Sequence, residues 1–391
     1  VGKLPYIAEK AQVTYGEELY GSYATPATTR TRSFGLVGKV DVPGPEWDLK
    51  EIRAIGAGRD LHQIAVGKQI NEGIGMPLVV QDWRWLLYFL GAVADIGTDK
   101  SGGGGSTISL AAAIGDTSVT MTDPANYATG DYMQIGTGAN AEIRQITVSG
   151  SVFTLDEQLR KAHAALSTCN EVEAPFTHTI TGGDLMVAGF NLPSATIDIG
   201  YPTVGAEDFG LEFLGCMGES CEISCEAEDV VKANMTWVAA LVAKITSLEQ
   251  LTIESTTPYL FSMGDLEWNV TPVARVNSFK LNLTNNGKVK NYIRSTDGQY
   301  GYEYIPGKRA LAFSAEITPD DATILDDVLA AEERGIEILF TRGTGDTVTL
   351  AGTVTPKSMK MNVPESGEIP ATIEGTLKTL TVTVVDSIDH Y

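Results

Sequence analysis

The sequence predicts a mainly β protein, and three observations predict it. Glycine fills 41 of the 391 positions, the density of turn residues that many short strands require. Residues 221–227, 276–284 and 357–363 alternate apolar and polar side chains and then reach polar turns, the period of a half-buried strand. Hydrophobic residues make up 43% of the chain, enough for a core and too many for a disordered acidic polymer. The length suits two or three domains. Lys and Arg total 28 against 50 Asp and Glu, a net charge of −22. Wrapping DNA by phosphate neutralisation needs a basic face, so that class of function is excluded.

Residues 1–34 carry Tyr6, Tyr15, Tyr20 and Tyr23 with weak periodicity. They read as an N-terminal arm, either extended over a neighbour or a poorly ordered tail. From Phe34 the pattern is strand-like. Residues 66–80 place Ile70, Glu72, Ile74, Met76 and Leu78 on one face, with Pro77 at an edge or bulge. Residues 81–91 read as a short helix opened by Asp82 and stopped by Gly91. The apolar stretch 85–96 is about half the ~20 residues of a membrane-crossing helix, so no membrane association is expected. Residues 1–5 have no apolar signal core, and synthesis in a cytoplasm is expected.

Residues 101–106, Ser-Gly-Gly-Gly-Gly-Ser, read as a linker. Beyond them, 107–166 form a small β domain with strands at 118–121, 132–135, 142–148 and 152–155. It reads as an insertion into a surface loop of a discontinuous core, 35–100 and 167–391. Hairpins are expected over 220–238, 276–287 and 357–377. Residues 307–330 repeat the order of elements of 67–91 (Gly-Lys, alternating strand, acidic cap, helix), which points to an internal duplication.

No catalytic constellation is present, and the chain is not expected to be an enzyme or to bind a cofactor or metal. Cys216, Cys221 and Cys225 are spaced x4 and x3 rather than as paired C-x2-C. On a strand, Cys221 and Cys225 sit about 13 Å apart on one face, which makes them candidate buried thiols. A disulfide through Cys169 or Cys216 is the lesser alternative. His62, His163, His178 and His390 have no ligand-like spacing and read as structural or surface residues, His390 as incidental. Residues 136–141 match a dinucleotide fingerprint only superficially and read as a turn. Asp326, Asp327, Glu332 and Glu333 read as the solvated face of a helix from Pro319. Asn234, Asn269 and Asn282 head glycosylation sequons that arise easily by chance.

Several pieces together resemble the tail tube proteins of long-tailed bacterial or archaeal viruses. They are Ile55-Gly56-Ala57-Gly58-Arg59-Asp60, Gly67-Lys68 leading to 81–91, Phe176-Thr177-His178-Thr179-Ile180, 192–197, Gly215-Cys216 and Asn285-Asn286-Gly287. The resemblance covers about 35–95 and 175–385 and rests on their order. It implies a tail-tube β-sandwich or barrel with long hairpins and one or two short flanking helices, plus the small inserted β domain. It also implies a structural virion protein whose hexameric rings stack into a hollow tube conducting viral DNA to the host. The implied partners are further copies of the chain, tail terminator and tail tip proteins, the tape measure protein during assembly, and DNA in transit without tight binding. Glu222, Glu226 and Glu228 are the candidate lumen-facing acids, whose charge would repel phosphates. The inner tube of a contractile injection device and a secreted β-sandwich binding protein are the competing readings. A β-rich hydrolase is a more distant one.

Overall fold

Alternation becomes strand wherever one face can be buried. The structure, a computed structural model, describes residues 11–18, 23–43, 73–182, 192–201, 209–246, 256–273, 275–290 and 303–391. For the strands Glu46–Ile52 and His62–Gln69 it describes the backbone alone. Tyr6, Tyr20, Ile70, Glu72, the 55–60 segment and the side chain of His62 lie outside the described residues. Among the described residues 21 strands join one hydrogen-bonded network and the helices are short, so the chain is mainly β.

Four long strands organise the network: Thr168–Gly182, Phe209–Glu226, Asp346–Met361 and Ala371–Asp386. Each serves more than one neighbour along its length. The first half of Phe209–Glu226 pairs with Ala195–Tyr201 and Leu241–Ile245. Its second half pairs with Lys232–Val238 and Val276–Thr284. The change of partners falls beside Gly215, at φ +63°, where an added Cβ would come within 2.9 Å of Ala240 and Tyr23. Ala371–Asp386 pairs with Asp346–Met361 along the hairpin, and also with Ala310–Ile317 and then Thr168–Gly182.

The hairpins expected over 220–238 and 357–377 form. That over 276–287 does not close on the residues after its turn. Val276–Thr284 pairs instead with Ala310–Ile317, and Lys288–Lys290 leaves to pair with Glu303–Ile305. The strand-then-helix order expected over 307–330 holds, as Ala310–Ile317 and Thr323–Ala330. Residues 101–106 are a docked turn rather than a free linker. Gly103 N–H donates to Lys100 O (2.8 Å), Gly104 N–H to Glu171 Oε2 (2.9 Å), and side chains at either glycine would collide with neighbours.

The expected helix over 81–91 is a 3-10 turn, Arg84–Leu86, running into one α turn, Leu87–Leu90. Asp82 Oδ1 accepts the Arg84 N–H at 3.1 Å, and Gly91 ends the helix at φ +101°. So short a helix has little stability of its own; it is held by its ring contacts. Phe89 and Tyr88 lie 4.9 and 5.6 Å from Trp237, centroid to centroid. Phe34 stacks on Tyr15 at 4.2 Å and touches the other side of Trp237. All five side chains are fully buried. Gly218 makes the fit possible, because a Cβ there would lie 2.7 Å from the Phe89 ring.

The carbonyls at the end of that turn are buried and need donors. Asn285, itself fully buried, donates through Nδ2 to Phe89 O (3.1 Å) and Gly218 O (2.8 Å). Arg309 donates to Phe89 O (3.0 Å), Leu90 O (3.1 Å) and Asn285 Oδ1 (2.9 Å). The described part of the N-terminal arm packs on its own chain, since Gln12–Glu17 pairs with Ala195–Tyr201. Neither a neighbour nor disorder is needed to explain Tyr15 and Phe34.

A second, separate apolar cluster lies within and just beyond 107–166, built from Ile108, Met133, Ile135, Phe153, Leu159 and Cys169 among others. Its strands are Ser118–Thr120, Tyr132–Ile135, Glu142–Ser149 and Val152–Leu155. Residues 136–141 form the turn between two of them.

Removing the Asn285 side chain strips donors from two buried carbonyls. Asn285→Ala is expected to cost about 2–3 kcal/mol, read as a lowered midpoint in thermal or urea unfolding. An unchanged midpoint would show that this cap carries none of the fold.

Candidate assembly and lumen surfaces

The parity of the long strands sorts side chains onto two faces. On Phe209–Glu226, Cys221, Ile223 and Cys225 point into the core while Ser220, Glu222, Ser224 and Glu226 point away. Cys221 and Cys225 are 3% and 2% exposed, and all four cysteines are free. Burial pushes the thiols of both up, Cys225 to about 11, so neither is a ready nucleophile. Cys169 sits in the second cluster and Cys216 in the main core, so the alternative of a disulfide through either is not realised.

The strand register extends the outward face across five strands. Glu222 lies opposite Asn234 on one side and Asn282 on the other, and the row continues through Ala312 to Thr376. The adjacent row is Lys232, Ser224, Lys280, Ser314 and Glu374. Glu226 lies opposite Ser278, which lies opposite Glu316. Lys280 is therefore diagonal to Glu222, Glu226 and Glu316, within reach of long side chains. The face is a hydroxyl- and amide-rich surface of alternating charge rather than a wall of acid. Glu228 is not on it; it sits exposed in the following turn at φ +66°. Sequence reading missed Lys232 and Lys280 because their proximity to Glu222 depends on which strands pair. Only the outward parity of Lys280 was legible.

The long hairpin ends in a loop, 362–370, between Asp346–Met361 and Ala371–Asp386. Its apolar residues face solvent: Val363 is 80% exposed, and Met361 and Ile369 are also exposed. Arg275 Nη1 reaches Glu368 at 3.2 Å and braces the loop.

Of the acids read as a solvated helix face, Asp326 is exposed on the helix, Asp327 is buried, and Glu332 and Glu333 are exposed but lie beyond the helix, which ends at Ala330. It accepts from Trp268 Nε1 (2.9 Å) and Arg334 (2.8 Å), and these bonds hold its carboxyl below the usual range. Helical periodicity puts Asp327 where the Trp268 indole needs an acceptor.

The 107–166 unit is held to the rest of the chain by the pairing of Tyr132–Ile135 with Thr168–Gly182 and by buried and part-buried charge. Arg160 pairs with Glu17 of the N-terminal strand, Arg32 pairs with Glu157, and Gln158 Nε2 donates to Glu18 O at 2.9 Å. Inside the unit Glu142 accepts from Arg144 (2.8 Å), His163 (2.7 Å) and the Arg160 N–H (3.0 Å). Burial alone would raise its pKa, but these partners outweigh it and hold Glu142 at about 2. Such pairs cost desolvation to form and leave a stranded charge if half is removed, so they fix where the unit sits.

The histidines are not incidental. His178 is fully buried, stacks on Tyr391 at 4.0 Å, and bonds to Asp95 (2.7 Å) and Ile388 O (2.7 Å). Burial opposes its charge, yet Asp386 and Asp95 outweigh burial and push it up to about 9. His390 is 8% exposed and contacts Asp389 and Glu157. Apart from Asp389, the neighbour of His390, these contacts join distant segments, so no spacing in the sequence announces them.

A folded pKa near 9 against an unfolded 6.5 means His178 stabilises fully below pH 6.5 and loses that contribution as pH rises through 9. The contribution is about 3 kcal/mol. Urea unfolding at pH 6 and pH 9.5 should show that loss in the wild type and not in His178→Gln. Equal pH dependence in both would refute the assignment.

A comparison with protein families matches residues 7–383 to the family described as phage tail tube protein. No individual curated protein matches the chain with significance. A match over nearly the full length, on a mainly β fold built around long antiparallel hairpins, places the protein: the chain belongs to the phage tail tube protein family.

Proposed function

We propose that this tail tube protein assembles as hexameric rings, stacked into a hollow tube through which viral DNA passes, and that it does no chemistry. The observation that carries the reading is the polar face that crosses five strands opposite the core. A channel for a polyanion must be wettable and must not grip phosphate. On this face Lys232 and Lys280 are interleaved with Glu222, Glu226, Glu316 and Glu374, so no contiguous basic track exists to hold DNA. Glu228 stands at its rim. The net charge of −22 adds long-range repulsion that keeps DNA from adhering.

Assembly uses what a monomer leaves unsatisfied. Leu241–Ile245 pairs with one strand among the described residues, and an open strand edge is a template for another chain. The apolar loop 362–370 suits an axial contact with the next ring, where Val363 would leave water. The other contacts proposed are with the tape measure protein during assembly and with terminator and tip proteins at the tube ends. The setting is a virion tail made in the host cytoplasm.

We divide the chain into an arm (1–34), a discontinuous tube core (35–100 and 167–391) and an inserted domain (107–166) that projects from the outer wall. The separate apolar cluster of the insert supports that division.

Negative-stain microscopy of the purified protein should show hollow tubes with a ring repeat; monodisperse particles at assembly concentrations would reject the reading. A chain lacking 107–166 should still form tubes, with a lower melting temperature because Glu17 and Arg32 lose their partners. Loss of assembly in a variant that still folds would reject the outer-wall placement.

A further inference from the structure

Where the 107–166 unit meets residues 386–391, Asp156 converges with two adjacent donors, Asp389 and His390. His390 Nδ1 lies 2.5 Å from Asp389 Oδ2 and 3.8 Å from Asp156 Oδ2. One donor atom from each of these residues falls within 4.8 Å of the other two. We propose that Asp156, Asp389 and His390 bind a divalent transition-metal ion of the zinc type, which staples the 107–166 unit to the C-terminal segment.

The orientation of each donor supports the site. Asp156 Oδ1 accepts the backbone N–H groups of Gln145 (3.1 Å) and Glu157 (2.9 Å), which turns Oδ2 toward His390. His390 Nε2 faces Glu157 Oε2 at 3.1 Å and Arg32 Nη2 at 3.3 Å. Arg32 is itself paired with Glu157. The carboxylate is thus the closer partner and the acceptor for an Nε2–H, with Arg32 fixing it from behind. A metal-bound imidazole usually donates its other N–H to a carboxylate in this way. With the proton on Nε2, the Nδ1 lone pair faces two carboxylate oxygens, a repulsion that a bound metal ion relieves. A proton on Nδ1 is the competitor.

Charge and access agree. Asp156, Glu157 and Asp389 bring three carboxylates together; Arg32 is paired directly with Glu157, and Arg160 and Arg144 also act on the group electrostatically. The imidazole is buried while the Asp156 and Asp389 side chains are 29% and 22% exposed, leaving an ion a route from solvent. One imidazole and two carboxylates suit zinc and its first-row neighbours. Calcium and magnesium take all-oxygen shells and are disfavoured here. Three protein ligands leave room for water as the fourth.

The test is zinc binding by the full-length chain after chelator treatment and dialysis, followed by isothermal titration calorimetry. The expected result is one zinc ion per chain, no comparable heat from magnesium or calcium, and a zinc-dependent rise in melting temperature. Asp156→Asn and Asp389→Asn keep the shape of the side chain and should each weaken zinc binding about tenfold or more. Both should abolish the thermal shift, and their unfolding without metal serves as the check on folding. No zinc uptake by the wild type would overturn the site and leave the proton as its occupant. Uptake undiminished in both variants would overturn it by placing the ion elsewhere.

Discussion

The fold depends on seating one short aromatic turn. Residues 84–90 are too few to be helical alone, and they bring carbonyls into the core that water cannot reach. Asn285 and Arg309, which flank the paired strands Val276–Thr284 and Ala310–Ile317, satisfy those carbonyls. Trp237 takes the rings of Tyr88 and Phe89 on one side and Phe34 on another. These contacts tie together the N-terminal arm, the strand Lys232–Val238 and, through Asn285, the end of Val276–Thr284.

Covering one face leaves the other available. In a sheet the period of two means that burying Cys221, Ile223 and Cys225 sends Ser220, Glu222, Ser224 and Glu226 outward. The same holds on each paired strand, so the outward face is continuous across five of them. The interleaved lysines change what acidity means here. In the proposed tube this local balance, together with the net charge of the whole chain at longer range, is what would keep DNA from adhering.

Local features were legible in the sequence and long-range ones were not. The strands of 107–166, the turn at Gly91 and the inward parity of Cys221 and Cys225 follow from alternation and turn chemistry, both properties of a few adjacent residues. Val276–Thr284 departs from the expected hairpin because Asn285, in its turn, is committed to buried hydrogen bonds and the strand pairs with Ala310–Ile317. Asp327 reads as solvated from sequence because helix periodicity alone does not reveal the Trp268 indole that it accepts from. His178, His390 and the Arg160–Glu17 pair were unreadable for the same reason: each joins residues far apart in the chain, and a single sequence carries no signal for that pairing.

The central claim is that the polar face faces the channel while 107–166 stands on the outer wall. A cryo-electron microscopy reconstruction of the assembled tube tests it most directly. The account predicts Glu222 and Lys280 at the lumen surface and 107–166 at the largest radius. A tube whose lumen is lined by another, net positive surface, or one with 107–166 inside the channel, would contradict it.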